Sequence, residues 1–153
     1  MKTALSVRPA TALDAEFICK LASSVEGYTV PTPYVLWMLT RFHKDWSAVA
    51  EEGRKQLGYM LAFPASDATV FVWQFACTFR GQRLHAPDAL ASHLKRMTAE
   101  GGFRQIIFTT VPQSAAERAV RSIVRRVFKA SIQKITGLPE QVPGEEWEYV
   151  LEP

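Results

Sequence analysis

Seven short stretches of the chain alternate between apolar and polar residues or are continuously apolar, which is typical of β-strands packed on a core. The strongest, residues 70–78, is rich in the β-branched and aromatic residues that strands favour. A charged turn around Gly53 predicts a hairpin between the second and third stretches. The predicted strands cover residues 5–8, 47–51, 56–63, 70–78, 104–111, 132–135 and 147–151.

Four further stretches carry apolar residues at helical spacing. Thr11 can cap the first, and Asp14 lies near its positive end. The third begins near Pro87 and ends at Gly101, since proline suits a first turn and glycine a helix end. The predicted helices cover residues 12–25, 34–42, 87–101 and 115–129.

This order of elements predicts a single α/β domain over residues 1–153, with a central mixed, twisted sheet flanked by helices. Hairpins give antiparallel strand pairs, and we expect the two helical crossovers to give parallel pairs. With 48% hydrophobic and 22% charged residues, the composition excludes a disordered or fibrous protein.

The pattern of apolar residues predicts neither a membrane span nor a secretory signal. The longest uncharged apolar stretch, residues 68–79, is too short to cross a bilayer, and the first 16 residues lack the apolar run of a secretory signal. Cys19 and Cys77 show no metal-binding or redox spacing. We therefore expect a cytoplasmic protein with reduced thiols and no membrane partner.

Charge divides the chain unevenly. Residues 1–134 carry all 18 Lys and Arg against ten Asp and Glu, a net charge of +8. Residues 135–153 carry five Glu and no basic residue, a net charge of −5. A uniformly basic nucleic-acid binder is not usually built this way, so the acidic end needs its own explanation.

The strand over residues 70–78 leads through Arg80-Gly81-Gln82 straight into a helix. Backbone N–H groups at such a turn and helix N-terminus favour an anion such as a phosphate. The segment from Phe75 to His85 resembles the coenzyme A pyrophosphate loop of the GCN5-related N-acetyltransferases, and the order of elements is similar to that fold.

Within that superfamily the chain most resembles the L-2,4-diaminobutyrate acetyltransferases of ectoine biosynthesis. The most specific match is Phe-Val-Trp-Gln at residues 71–74. Supporting matches are Val-Ala-Glu at 49–51, Thr-Thr-Val at 109–111 and an acidic cluster before the last strand. The resemblance covers nearly the whole chain.

The resemblance implies an enzyme that transfers an acetyl group from acetyl-CoA to the primary amine of a small amino acid or diamine such as 2,4-diaminobutyrate. Backbone N–H groups of the long strand would meet the thioester carbonyl. A homodimer is a further expectation, because members of the family often form dimers. The residues expected to bind the coenzyme are Phe75, Ala76, Cys77, Arg80, Gly81, Gln82, Arg83, Leu84, His85 and Ser114.

Carboxylates near the C-terminus suit a substrate that carries an ammonium group. Glu145 or Glu146 would accept its proton, and the sequence does not choose between them; a solvated acidic turn is the structural alternative. Trp73 and Gln74 are expected on opposite sheet faces, so that one of them faces the cleft. The expected substrate-binding residues are Glu26, Tyr34, Trp73 and Gln74.

Four positions depart from the family pattern, one of them Ser114, where the family usually has Asn. Arg83 and His85 stand where the family usually has Gly and Gly or Ala, and Arg121 stands where many members carry a proton-donating Tyr. Arg83 could bind a phosphate through its guanidinium, or with His85 it could crowd the loop. The alternative function is therefore a degenerate relative that has lost coenzyme binding and acts as a binding or partner protein.

Other candidate sites are weaker. The three histidines lack metal-ligand spacing, so no metal site is expected. Cys77 is interpreted as a packing residue because no histidine partner stands at a predictable spacing. A basic helix face predicts either a solvated surface or attraction of coenzyme phosphates, and without interleaved aromatic residues it does not predict nucleic-acid binding. This face consists of Arg118, Arg121, Arg125 and Lys129, with Arg126 alongside.

Overall fold

A computed structural model of the protein describes residues 3–142 and 144–153. Its seven strands form one sheet in the order β1-β2-β3-β4-β5-β7-β6. The strands are β1 (Leu5–Pro9), β2 (Ala48–Glu52), β3 (Lys55–Pro64), β4 (Thr69–Cys77), β5 (Gln105–Thr110), β6 (Ile132–Gly137) and β7 (Trp147–Leu151). The helices are α1 (Ala15–Ser23), α2 (Pro33–Phe42), α3 (Phe79–Arg83), α4 (Ala86–Gly101) and α5 (Ala115–Val127).

The mixed sheet flanked by helices confirms the predicted fold class. Among the described strands, β4 and β5 form the parallel pair, as the first crossover predicts. The expected second parallel pair is wrong. Helix α5 leads from β5 to β6, but β7 lies between these strands and pairs antiparallel with both. Tyr149 of β7 is fully buried and stacks on Phe108 of β5, which favours this insertion.

Local signals shift several helix boundaries. The first predicted helix begins with a short 3-10 turn over Ala12–Asp14, in which Thr11 and Asp14 form a capping box, and α1 then ends at Ser23. The expected loop over residues 80–85 is partly helical, because Thr78 caps α3. Within the described ranges, no helix has the length and apolar character needed to span a membrane.

Two apolar clusters hold the layers together, one on each face of the sheet. Helices α4 and α5 cover the first face, where Leu90 packs with Met60 and Ile106. Helices α1 and α2 cover the second, where Ile18 and Leu36 pack on strand residues. Burying each large aliphatic side chain contributes about 1.5–3 kcal/mol, so these contacts fix the helices on their faces.

A buried carboxylate ties the start of α1 to the sheet. Asp14 is 2% exposed and accepts hydrogen bonds from Arg8 at 2.8 and 2.9 Å and from Gln56 at 2.6 Å. Burial acts to raise the pKa of Asp14, but the hydrogen bonds from Arg8 and the Thr11 backbone outweigh it and the net pKa is lowered. The network positions α1, and through it the segment that leads to α2.

Candidate functional site

A gap opens between β4 and β5. The two strands pair in parallel only from Thr69 to Val72 on β4. Beyond Val72, β4 continues to Cys77 paired only with β3, and β5 continues to Thr110 paired with β7. The backbone of β4 therefore has a free side near Phe75, and exposed strand edges of this kind accept an added extended segment.

A β-bulge marks the start of the gap. In the β3–β4 ladder, Leu61 pairs with Gln74 and Ala62 pairs with Val72, so Trp73 is an extra residue on β4. A bulge bends its strand and increases the local twist, which explains why β4 turns away from β5 at this position.

The bulge also overturns the expectation that Trp73 and Gln74 lie on opposite sheet faces. Trp73 packs against the cluster under α1 and α2. The Gln74 side chain reaches the same layer, where it accepts from the Tyr59 hydroxyl at 2.9 Å and donates to the Thr29 carbonyl at 2.6 Å. Both side chains therefore support the segment between α1 and α2.

Tyr28, in that segment, closes the gap from one side. Its hydroxyl donates to the Phe75 carbonyl at 2.7 Å, and the Phe75 N–H donates back to it at 3.4 Å. Sequence reasoning missed this residue. Gly27 beside it, with φ +83°, indicates a turn, but no local pattern predicts a contact 47 residues along the chain.

Electrostatics connect Tyr28 to the acidic C-terminal segment. Burial is the main reason that the pKa of Tyr28 is raised; its hydrogen bond to Phe75 opposes the shift, and the negative charge of Glu146 adds to it. The Glu146 carboxylate is therefore one of the charges that act on the Tyr28 hydroxyl. Glu145, one residue earlier, is exposed to solvent.

The strand register explains where the acidic segment lies. Glu148 pairs with Thr109 and Trp147 pairs with Thr110, at the end of β5 that borders the gap. The Glu146 carbonyl accepts from Leu138 at 3.3 Å, which ties the start of β7 to the end of β6. The backbone of the acidic segment therefore lies on the β5 side of the gap.

The turn expected to bind pyrophosphate follows β4 directly. Gly81 is buried against β3, and a Cβ at this position would lie 2.3 Å from the Leu57 carbonyl oxygen. The amides of Gly81, Gln82, Leu84 and His85 all donate within the segment, to acceptors from Thr78 to Gln82. These N–H groups therefore do not point outward as the sequence predicts.

Two cationic side chains remain at this turn. The Arg80 Nε donates to Glu52 at 3.1 Å, which ties the side chain to the end of β2. Arg83 is exposed and its guanidinium lies 6.0 Å from the centre of the Phe79 ring. His85 adopts φ +62° at the start of α4, a left-handed conformation that glycine adopts without strain. A glycine would therefore match the backbone at this position better than the histidine does.

Ser114 lies across the gap at the start of α5. Its hydroxyl accepts from Glu117 N–H at 3.1 Å and donates to the Val111 carbonyl at 2.6 Å, so it acts as the helix cap. A coenzyme contact to Ser114 stays a prediction.

Burial raises the pKa of Cys77 to about 12, so its thiol stays protonated near neutral pH, which supports its interpretation as a packing residue.

The remaining predicted substrate residues, Tyr34 and Glu26, are exposed to solvent. Tyr34 is 69% exposed on α2 and its ring packs 5.6 Å from that of Trp37. Glu26 is exposed, two residues before Tyr28. In the part of the chain that the structure describes, no group of three His, Cys, Asp or Glu side chains forms a metal site.

Much of the predicted basic face of α5 is engaged within the protein. Arg121 Nε donates to Glu117 at 2.9 Å, and Arg126 donates to Asp88 on α4 at 2.7 Å. Arg118 donates to the Gln113 carbonyl at 2.9 Å. The Arg126 contact joins α5 to α4, whereas the other two lie within α5 and the turn that precedes it.

Neither a protein-family model nor a curated protein sequence matches the chain. Solved structures do match. The diaminobutyrate acetyltransferase of Paenibacillus lautus, solved with L-2,4-diaminobutyric acid and coenzyme A, has a TM-score of 0.81 at 22% identity, over 99% of this chain and 96% of that chain.

An acetyltransferase of the GNAT family from Desulfovibrio desulfuricans matches with a TM-score of 0.72 at 19% identity, over 97% of this chain and 99% of that chain. Arabidopsis thaliana Naa50, solved with a bisubstrate analogue of coenzyme A and a peptide, matches with a TM-score of 0.74 at 10% identity, over 97% and 99% of the two chains. These similarities show that the chain has the GCN5-related N-acetyltransferase fold.

Proposed function

We propose that this chain, with the fold of the GCN5-related N-acetyltransferases, transfers an acetyl group from acetyl-CoA to the primary amine of a small amino acid or diamine such as 2,4-diaminobutyrate. The observation that carries the proposal is the gap between β4 and β5, where the Phe75 backbone lacks a strand partner on one side. The similar structure that contains coenzyme A and L-2,4-diaminobutyric acid supports both substrates.

The acyl donor fits the free side of β4. A thioester supplies an activated carbonyl carbon and a thiolate leaving group. In the proposed reaction the Phe75 N–H donates to the carbonyl oxygen and stabilises the negative charge that develops there. The strand from Phe75 to Cys77 holds the donor in an extended conformation.

The phosphates of the donor fit the turn that follows β4. The exposed Arg83 and the N-terminus of α4 supply positive charge on the β4 side of the gap. The shape of this turn is set by Gly81, Gln82, Leu84 and His85. Arg80 binds a phosphate after its side chain leaves Glu52. Ser114 faces the donor from the β5 side.

The acceptor amine needs a group that takes its proton before it attacks the thioester. We assign this role to Glu146 in preference to Glu145, because the Glu146 charge acts on Tyr28 beside the Phe75 backbone. Trp73 and Gln74 support the acceptor side by holding the segment between α1 and α2. Glu26 and Tyr34 complete the acceptor site in this proposal.

A second candidate, a binding protein that no longer takes the coenzyme, is favoured by the turn itself. Its amides donate internally, and His85 holds a strained φ of +62° where glycine would be relaxed. Under this alternative the turn is a closed structural element and the gap binds no acyl donor.

Calorimetric titration with acetyl-CoA separates the two candidates. The proposed enzyme binds it, and no heat at millimolar concentration would rule out acetyl transfer. A panel of amines assayed for release of free thiol then tests the acceptor. We expect 2,4-diaminobutyrate and related diamines to outperform peptides with a free α-amine, and the reverse order would overturn the small-amine proposal.

The cytoplasmic location and a homodimer are further parts of this proposal. Fractionation of cells that produce the tagged protein tests the first. Light scattering of the purified protein tests the second, and a monomer mass at micromolar concentration would contradict it.

A further inference from the structure

Phe75 has an unusual partner. Where β5 leaves β4, the N–H and C=O of this residue would otherwise lack a strand partner, and one side-chain hydroxyl bonds both of them. Buried backbone groups need such partners, because leaving one unpaired costs about as much as a lost hydrogen bond. The Tyr28 hydroxyl thus makes the hydrogen bonds to Phe75 that a neighbouring strand would otherwise make.

The Tyr28 hydroxyl also prevents another acceptor from bonding the Phe75 N–H. The N–H of Phe75 can donate well to only one acceptor. The Tyr28 oxygen and a thioester carbonyl oxygen on the same N–H are therefore mutually exclusive. An acyl donor that adds along β4 at this point must move the Tyr28 side chain.

The surroundings of Tyr28 allow this movement without unfolding the segment. On one side Gly27 has φ +83°, a conformation that glycine adopts without strain, and it borders open space. On the other side Gln74 holds the Thr29 carbonyl at 2.6 Å. Tyr28 can therefore leave Phe75 while Thr29 stays attached to the sheet.

We propose that the Tyr28 hydroxyl occupies the thioester position on Phe75 in the free protein and is displaced when the acyl donor binds. This inference rests on the proposed acetyl transfer. Displacement of the Tyr28 hydroxyl leaves the Phe75 N–H open to the carbonyl oxygen of the thioester.

Calorimetry with acetyl-CoA and with unacylated coenzyme A tests the proposal on the wild type and two variants. In Tyr28→Phe the free protein loses both hydrogen bonds to Phe75, while the bound state loses nothing. We therefore expect the Kd for acetyl-CoA to fall about three- to tenfold, with a smaller change for coenzyme A, which lacks the carbonyl.

Tyr59→Phe is the matched control. It removes a buried hydroxyl that bonds the Gln74 side chain and leaves the free side of β4 untouched. Its Kd for acetyl-CoA should equal that of the wild type. If Tyr28→Phe binds acetyl-CoA no more tightly than the wild type, the displacement of Tyr28 is wrong but the proposed acetyl transfer still stands. If the wild type binds neither acetyl-CoA nor coenzyme A, the proposed function is wrong as well.

Hydrogen exchange on the wild-type protein gives a second test that needs no variant. Release of Tyr28 should speed amide exchange in the segment around residues 26–30 when acetyl-CoA is added. Slower exchange in this segment on binding would show that Tyr28 tightens around the donor, and would contradict the proposal.

Discussion

Glu145 and Glu146 are neighbours in the chain, yet the fold gives them different surroundings. Glu145 is exposed, whereas Glu146 is partly buried and its charge acts on the Tyr28 hydroxyl. Position next to the reacting groups decides which carboxylate can serve as a base, because proton transfer needs hydrogen-bond reach.

Glu146→Gln should therefore lower kcat for amine acetylation by about 100-fold, since an amide cannot take the proton from the amine. Steady-state assays of thiol release measure this effect. Glu145→Gln is the matched control and should retain activity close to wild type. Equal losses in the two variants would point to a shared electrostatic role and against a single base.

The turn after β4 offers a pair of glycine substitutions with opposite expected effects on stability. His85→Gly should raise the free energy of unfolding by up to about 1 kcal/mol, because it relieves the left-handed conformation. Arg83→Gly should lower it by about 1 kcal/mol, because Arg83 lies within α3. Thermal or urea unfolding of both variants measures the difference, and a destabilised His85→Gly would show that the histidine side chain makes a contact worth more than the strain.

Among the elements, the short helix α3 is held to β3 by close backbone approach. The Thr78 side chain both caps α3 and donates to the Leu57 carbonyl at 3.1 Å. Gly81 packs against the same carbonyl with no room for a Cβ. The turn proposed to meet the coenzyme phosphates is therefore set by the contact between α3 and β3.

Gly81→Ala should push α3 away from β3 and cost about 2–4 kcal/mol of stability, with loss of acetyl-CoA binding. Unfolding curves and calorimetry measure the two effects. Gly137→Ala is the control, because its Cβ would meet its nearest neighbour at an ordinary 3.5 Å. A Gly81→Ala protein with wild-type stability would mean that α3 shifts easily.

The attachment of α1 depends on Asp14, and it should be sensitive to acid. Its lowered pKa means that the carboxylate stabilises the fold above the unfolded-state pKa of about 4, and that this contribution is lost as the pH falls through the folded-state pKa. Asp14→Asn should cost about 1–3 kcal/mol at neutral pH, since it leaves Arg8 without its buried partner. Urea unfolding at several pH values should show the difference between the proteins shrinking in acid, and a constant difference would contradict the ionic role.

At the scale of the whole molecule, the charge division follows the proposed site. The portion with net charge +8 contains the turn after β4 and the helix α5. The acidic end carries Glu146 directly before β7, which pairs with the end of β5 that borders the gap. A phosphate-bearing donor and a cationic amine are thus favoured on different sides of one cleft.

Salt should therefore weaken the binding of acetyl-CoA. We expect its Kd to rise about threefold or more between about 0.05 and 0.5 M salt, because ions screen the attraction of the phosphates. An acetyl thioester without phosphates, such as S-acetyl-N-acetylcysteamine, is the control and should show no comparable change. Equal salt dependence of the two ligands would mean that phosphate attraction contributes little.

Much of the fold could be predicted from local pattern. Each strand and main helix appears near its predicted range, because apolar spacing and capping residues such as Thr11 act on conformation within a few residues. The sequence analysis does not predict α3, although Thr78 precedes it as a cap, because the resemblance indicates a pyrophosphate loop over these residues. The candidate site was less predictable, since Tyr28 carries no family motif.

Local pattern and composition predict the order of the elements, the fold class and the division of charge, because these are properties of neighbouring residues in the chain. Tertiary structure decided the insertion of β7 between β5 and β6, the bulge that places Trp73 and Gln74 on one face, and the bonding of Tyr28 to Phe75. Each of these depends on pairing between residues far apart in the chain. Such pairing depends on how whole elements pack and on which backbone groups still need a hydrogen-bond partner. Neither can be predicted from a local stretch of the chain.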